Sequence, residues 1–216
     1  MKASLVPFGD SALLVKFGDE IDLSTNQRVQ ALDALLSANP HQGFIESVPA
    51  YATLLVIYDP LIVTHTQVSD WVRMEMERSL EGLSRKPRRI RVPVRYEGED
   101  LDFVALFHHM STREVVRIHT SREYTVYMMG FTPGFAYMGK LDDAIATPRL
   151  ATPRTRVEAG SVGIAGAQTG IYPIASPGGW RILGRTSLQL FDLAADPPFL
   201  FSPGDLVSFV SEGIDA

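Results

Sequence analysis

The sequence predicts an α+β protein in two parts: a small N-terminal α+β sandwich domain over residues 1–84, then an all-β barrel or sandwich domain over residues 85–216. Three observations predict it. The first part alternates short apolar runs with stretches of helical apolar period, the pattern of strands with helices laid on one face. The texture then changes: residues 130–184 hold 10 of the 17 glycines and five of the 14 prolines, and short apolar runs between such turns read as closely spaced strands. Finally, 216 residues with 45% apolar content suit one large domain or two small ones, each able to build a core without staples.

Residues 11–17 (SALLVKF) read as a strand that Gly18-Asp19 ends. Leu23-Ser24-Thr25 opens a helix to about Ala38, with Val29, Leu32, Leu35 and Leu36 on one face, and Asn39-Pro40 stops it. Residues 44–48 and 52–58 form a strand pair with Pro49 at the junction, and Asp59-Pro60 breaks the second strand. A helix follows over about 66–80, with Val68, Trp71, Val72 and Met76 inward. Residues 84–95 (SRKPRRIRVPVR) carry six Lys or Arg. They make either a patch for an acidic partner or a solvated linker entering an edge strand through Ile90, Val92 and Val94, where Pro93 is tolerated. Two helices follow, 101–110 and 111–120, the second opened by the capping box Ser111-Thr112-Arg113-Glu114. The tail holds a strand-like run at 188–191, a turn at Asp196-Pro197-Pro198 and a last strand at 206–210.

Composition excludes several function classes. With 25 acidic against 20 basic residues and a net charge of −5, no wholesale basic field for nucleic acid is present. There is no cysteine, which removes disulfides, thiolate metal sites and thiol nucleophiles. No apolar stretch has the length of a membrane helix, about 18 residues, and the N-terminus lacks the apolar core of a secretion signal. The expectation is a cytoplasmic protein without membrane or nucleic-acid partners.

Few motifs carry chemistry by themselves. Gly134-Phe-Ala-Tyr-Met-Gly139-Lys140-Leu141 approaches a P-loop, but Leu141 stands where the Mg²⁺-holding hydroxyl belongs, and Phe135 and Tyr137 are bulky for a phosphate cradle. The five histidines show no metal-ligand spacing, so no metal site is expected. His119 reads either as a polar site residue or as a helix-end group favoured by the dipole. Ser161 lies in Ala159-Gly-Ser-Val-Gly163, outside the nucleophile-elbow pattern. It is either a turn serine or a hydrogen-bond donor to an oxyanion. Arg149, Arg154, Arg156, Arg181 and Arg185 bracket the glycine-rich turns, where a guanidinium fork suits carboxylate or phosphate. Gly166-Ala-Gln-Thr-Gly170-Ile-Tyr-Pro173 and Ser176-Pro-Gly-Gly-Trp180 read as shaped loops. There Gln168, Thr169 and Tyr172 add polar groups and Trp180 an apolar wall. The residues alone point to an anion-tolerant, glycine-walled pocket.

Gly130-Phe-Thr-Pro-Gly-Phe-Ala-Tyr137, Thr147-Pro-Arg-Leu-Ala-Thr-Pro-Arg154, Ala159-Gly-Ser-Val-Gly-Ile-Ala-Gly166, Thr169-Gly-Ile-Tyr-Pro173, Ser176-Pro-Gly-Gly-Trp180 and Gly184-Arg-Thr186, in that order, resemble the KipI/PxpB family. The family is also described as allophanate hydrolase subunit 1-like, or carboxyltransferase domain subdomains C and D. The resemblance runs nearly end to end, with its specific motifs in 130–186. It implies a cyclophilin-like barrel after the N-terminal α+β domain. It also implies the role of the B subunit in a 5-oxoprolinase that opens 5-oxo-L-proline to L-glutamate with ATP hydrolysis, in complex with subunits A and C and inactive without them. ATP, with or without Mg²⁺, is the implied cofactor, bound here or mainly by a partner. Two other roles remain open under the same resemblance: a regulatory protein that inhibits a sensor histidine kinase, and a subunit of a urea carboxylase- or allophanate hydrolase-like enzyme. Mapped onto that chemistry, the expected catalytic residues are Arg154, Ser161 and Gln168. Arg149, Phe135, Tyr137, Thr169, Tyr172, Gly178, Gly179, Trp180 and Arg185 are expected to bind substrate, with the Gly178 and Gly179 amides facing developing negative charge. Ala136 and Glu158 stand where the family usually has proline. The first should loosen a turn by about 0.4–1 kcal/mol, and the second puts a carboxylate beside the expected anion pocket.

Overall fold

The computed structural model describes residues 3–78 and 87–212. The chain divides into two compact units, Met1–Lys86 and Pro87–Ala216. The first is a four-stranded antiparallel sheet, β1 (Ser4–Pro7), β2 (Ala12–Lys16), β3 (Phe44–Pro49) and β4 (Thr53–Tyr58), in the order β1-β2-β4-β3. Helices α1 (Leu23–Ala38) and α2 (His65–Glu77) supply the rest of its core, together with Phe17 and Val63 from the connecting segments. Strict alternation in β4 buries Leu54, Val56 and Tyr58, and Leu13 and Val15 of β2 join them on the same face. Helix α1 begins where the Asp22 carboxylate accepts the Thr25 N–H at 2.7 Å, and α2 begins with a full capping box between Thr64 and Gln67. Each such cap is worth about 1 kcal/mol. The expected residues Val29, Leu32, Leu35, Leu36, Val68, Trp71 and Val72 are all buried, and Met76 is partly buried against the same core. Strand β1 was not expected: it is an edge strand of four residues ended by a proline, too short to show a period. Positions 79 and 80 of the expected second helix lie outside the described residues.

The second unit is a seven-stranded, nearly closed, barrel-like sheet with two helices. Its elements are β5 (Arg89–Val94), α3 (Leu101–Phe107), α4 (Thr112–Thr120), β6 (Glu123–Met129), β7 (Ala136–Gly139), β8 (Arg154–Val157), β9 (Ser161–Ala165), β10 (Gln168–Ile171), β11 (Ser176–Gly178), β12 (Arg181–Arg185) and β13 (Leu206–Ser211). Strand order is β12-β9-β10-β7-β6-β13-β5, and β8 and β11 form a separate two-stranded ribbon. The end strands meet just beyond β5: Arg95 and Arg185 exchange both backbone hydrogen bonds, each 2.9 Å, and Gly98 N–H adds one to Leu183 at 3.0 Å. That bridge closes the sheet and removes an edge that would otherwise offer unpaired backbone groups. Residues of all seven strands fill the interior, among them Val92, Val126, Met138, Ile164, Ile171, Leu183 and Phe209.

Two local expectations are corrected here. The run at 188–191 is not a strand: Phe191 and Phe199 make one isolated bridge across a turn containing Pro197 and Pro198, which lack the donors to extend a ladder. At α4, Ser111 caps the Glu114 N–H at 3.2 Å, but the Glu114 carboxylate turns to Arg117 and the box stays half-made. The near-P-loop, already set aside in the sequence for Leu141 and its bulky aromatics, is no phosphate loop: residues 136–139 are strand β7, with Phe135 buried beside it.

Candidate functional site

The site is anchored by a buried carboxylate. Asp100, in the turn between β5 and α3, is 6% exposed at its side chain. It accepts from Arg154 Nη2 at 2.8 Å, from Arg181 Nη1 at 3.3 Å and from the Ile182 N–H at 2.7 Å. Arg154 also reaches Glu99 at 2.8 Å and the Trp180 carbonyl at 3.1 Å. Arg181 lies 3.8 Å over the Phe103 ring and donates to the Pro148 carbonyl at 3.3 Å. The two arginines thus tie β8, β12 and the residue-148 turn to one carboxylate. Such charge-assisted bonds are the strong class, and here they hold the segment that carries Trp180.

On that support stands an aromatic wall. Phe135 is its centre, with ring centroids at 5.3 Å to Tyr172, 5.4 Å to Trp180 and 4.8 Å to Tyr137, in edge-to-face or tilted contact. Each such pair adds about 0.5–1.5 kcal/mol beyond area burial. The wall dictates two glycines around it. A Cβ on Gly170 would press on Phe135 and Trp180, and one on Gly178 would overlap the Tyr172 ring and hydroxyl. Burial pushes the Tyr172 and Tyr137 phenols up, with Arg149 drawing both partly back down. Both are therefore neutral donors at physiological pH. Phe131 forms the outer lip, 60% exposed and at φ +69, a left-handed conformation that costs a bulky residue about 1–3 kcal/mol and is held only where the surroundings dictate it. Arg149 stands exposed beside the wall, its guanidinium 5.9 Å from the Trp180 ring.

Inside the barrel lies a separate polar relay. Tyr96 Oη is 2.7 Å from His119 Nδ1, His119 Nε2 is 2.9 Å from Thr169 Oγ1, and Thr169 donates to the Gly163 carbonyl at 3.1 Å. The hydroxyl proton of Thr169 is committed to Gly163, so Thr169 accepts from Nε2–H, and Nδ1 accepts from Tyr96. His119 is fully buried and stacked on Phe209 at 4.5 Å, and burial lowers its pKa to about 3. It is a neutral interior group, neither a helix-end cation nor a surface site residue. Thr169 belongs to this relay and does not face solvent.

Two adjoining clefts open where the barrel closes, and Arg95 and Arg185 line both. One, of about 470 Å³, has Gly160, Pro173, Thr186, Ser187, Leu188 and Gln189 among its other walls. The second, of about 370 Å³, contains Ser161, Arg156, Glu97, Glu99 and Glu158. Glu158 does not remain a free carboxylate beside an anion pocket: Arg156 holds it at 2.6 and 3.3 Å and keeps its pKa below the usual range.

The expected residues therefore separate. Phe135, Tyr137, Tyr172, Trp180 and Arg149 come together at the wall. Gly178 serves the close approach of Tyr172, while the Gly179 carbonyl accepts the Leu150 N–H at 2.8 Å. Arg185 and Ser161 lie at the seam clefts. Gln168 starts β10, partly buried. Arg154 spends its fork on Asp100, Glu99 and Trp180 and has a supporting position. Sequence reasoning did not single out Asp100, Tyr96 or Arg95. Asp100 was accessible as an acidic residue just before a helical period, but its partners lie 54 and 81 positions away. Of the basic run, Arg88 pairs with Asp205 and Arg89 with Glu123, and β5 carries buried Val92 and Val94, so two of its four described charges are matched inside the chain while Arg91 and Arg95 stay exposed. Residues 84–86 of the run lie outside the described residues.

A chain with a small α+β unit and a nearly closed barrel has known relatives. This one belongs to the family of the carboxyltransferase domain, subdomain C and D, which it matches over residues 3–201. Within it, the chain is 42% identical to the B subunit of 5-oxoprolinase from Bacillus subtilis (strain 168), covering 94% of this chain and 90% of that one. It is similar to the solved structure of TTHA0988, with a TM-score of 0.83 and 36% identity over 94% of this chain, and it spans only 40% of that longer chain. The urea amidolyase of Saccharomyces cerevisiae is 26% identical over 93% of this chain, which corresponds to 13% of that protein. Among the described residues no helix is long and apolar enough to cross a membrane, and no group of three or more acidic or histidine side chains is placed to hold a metal ion.

Proposed function

We propose that this chain is the B subunit of an ATP-dependent 5-oxoprolinase, a hydrolase complex that converts 5-oxo-L-proline to L-glutamate. The observation that carries the reading is 42% identity extending over nearly the whole of both chains. The barrel unit is read as cyclophilin-like, with the domain boundary at 84/85, and the complex as cytoplasmic. Its partners are read as subunits A and C. In balance, the lactam takes up one water to become glutamate while ATP and a second water become ADP and phosphate. ATP supplies activation of the lactam oxygen, and its binding is assigned mainly to a partner.

What this chain offers is recognition. Arg149 presents its exposed guanidinium for the substrate carboxylate, and Phe131 offers an exposed apolar face to the five-membered ring, both backed by the buried aromatic cluster around Trp180. The wall carries no nucleophile with a base at hydrogen-bond distance, so the chemical step is shared with a partner.

The test is ATP-dependent glutamate release from 5-oxo-L-proline, by the chain alone and with partner subunits A and C. Activity is expected only in the full mixture. Arg149→Gln should then raise KM about tenfold or more with a smaller change in kcat, as expected for a lost charge-assisted contact. An inactive mixture of folded subunits would refute the reading and move the assignment to a regulatory binding module. Activity on urea-derived amides instead would favour the urea amidolyase relationship.

A further inference from the structure

The seam of the barrel carries a feature that folding alone disfavours. Arg95 and Arg185 are directly opposite each other in an antiparallel bridge, and they exchange both backbone hydrogen bonds. Side chains so paired leave the same face of the sheet about 5 Å apart, and like charges at that spacing destabilise a sheet. Among the described residues neither guanidinium donates to a carboxylate at hydrogen-bond distance, and Arg185 acts on Glu158 only through space. Arg185 spends its Nε–H on the Ala159 carbonyl at 3.0 Å and keeps its terminal nitrogens. Arg95 approaches only Glu97, at 3.6 Å between two exposed groups, beyond hydrogen-bond distance and worth little. The nearby carboxylates are otherwise engaged, Glu158 with Arg156 and Glu99 with Arg154.

The larger cleft lies against this pair. Of the residues lining its 470 Å³, Arg95 and Arg185 are the charged ones, and no carboxylate is among them. The Thr186 and Ser187 hydroxyls and the Gln189 amide add neutral polar groups, and Pro173 and Leu188 an apolar side. Gly160 at the floor has φ +82, and a Cβ there would overlap the Thr186 carbonyl, so the floor stays flat.

From these observations we infer that Arg95 and Arg185 form a two-fork clamp for a compact oxyanion, a phosphoryl or carboxylate group on a small molecule seated in the larger cleft. The anion offsets the repulsion of the paired arginines, and each fork matches two of its oxygens. This site is separate from the Arg149 wall and stands whether or not the chain acts on 5-oxo-L-proline.

Inorganic phosphate, 5-oxo-L-proline and L-glutamate, each titrated into the full-length chain at low ionic strength and followed by arginine side-chain NMR, test it. At least one should bind saturably and shift the Arg95 and Arg185 Nε–H signals together. Phosphate alone assigns a phosphoryl group, and the carboxylates alone assign a carboxylate. Arg95→Gln and Arg185→Gln should each weaken that binding about tenfold or more. Arg185→Lys should recover part of it. Arg91→Gln, which removes an exposed charge from β5 outside the clefts, should leave it unchanged. Saturation by none of the three, or binding that Arg95→Gln and Arg91→Gln weaken equally, overturns the proposal.

Discussion

Replacing Asp100 by alanine should destabilise the barrel unit by about 3 kcal/mol, and the structure shows how that sum arises. The carboxylate accepts three donors, two guanidinium N–H groups and the Ile182 backbone N–H. Without it, Ile182 N–H stays buried with no acceptor, which costs about 1–3 kcal/mol. Breaking a buried ion pair costs about 3–5 kcal/mol when the survivor is stranded. Here neither survivor is stranded: Arg154 keeps Glu99 and the Trp180 carbonyl, and Arg181 keeps the Pro148 carbonyl and the Phe103 face. Their side chains are also 21% and 15% exposed, so water reaches part of each fork, and the ionic share belongs at the low end. Asp100→Asn keeps one oxygen for Ile182 and loses the charge, so about 1–2 kcal/mol is expected. Urea unfolding should show a lower midpoint with unchanged m, and the melting temperature should fall by about 6–12 °C for Asp100→Ala. A loss within about 0.5 kcal/mol, or equal losses for the two variants, would refute the anchoring role.

Two further predictions concern His119 and the glycines. His119 has a folded pKa of about 3 against an ordinary 6.5, so between those values the unfolded chain binds a proton that the native chain does not. Stability should therefore fall as pH drops below about 6.5, by at most ~1.4 kcal/mol per unit and by about 3 kcal/mol in total near pH 4. His119→Gln keeps a donor for Thr169 and an acceptor for Tyr96 without titrating, so its unfolding free energy should fall less steeply, and parallel profiles would exclude His119 as the source. Among the glycines, Gly98→Ala should cost more than about 3 kcal/mol, because the added Cβ overlaps the Ile182 and Leu183 backbone of β12. Gly204→Ala, at φ +85 with open space around it, should cost about 1–2 kcal/mol, and thermal melts that reverse this order would contradict the packing described at the seam.

What the chain determined by itself is what short stretches can encode. The burial period of α1 and α2, the caps at Asp22, Thr64 and Ser111, the breaks at Asn39-Pro40 and Asp59-Pro60, and the glycine-rich barrel texture are local, because hydrogen bonds and side-chain faces within a few residues specify them. The ordered motifs of 130–186 also pointed to the family that the chain matches over residues 3–201. Only the tertiary structure decided which polar groups meet. Arg149 and Arg154 look alike in sequence, each following a proline, yet one stays open beside Trp180 and the other is consumed by Asp100. His119 reads in sequence either as a polar site residue or as a helix-end group, and it is the middle of an interior relay whose far partner is 50 positions away. Arg95 sat inside a basic run and became half of a charged pair at the barrel seam. Each outcome depends on strand order and register, which long-range packing sets and which no local period records.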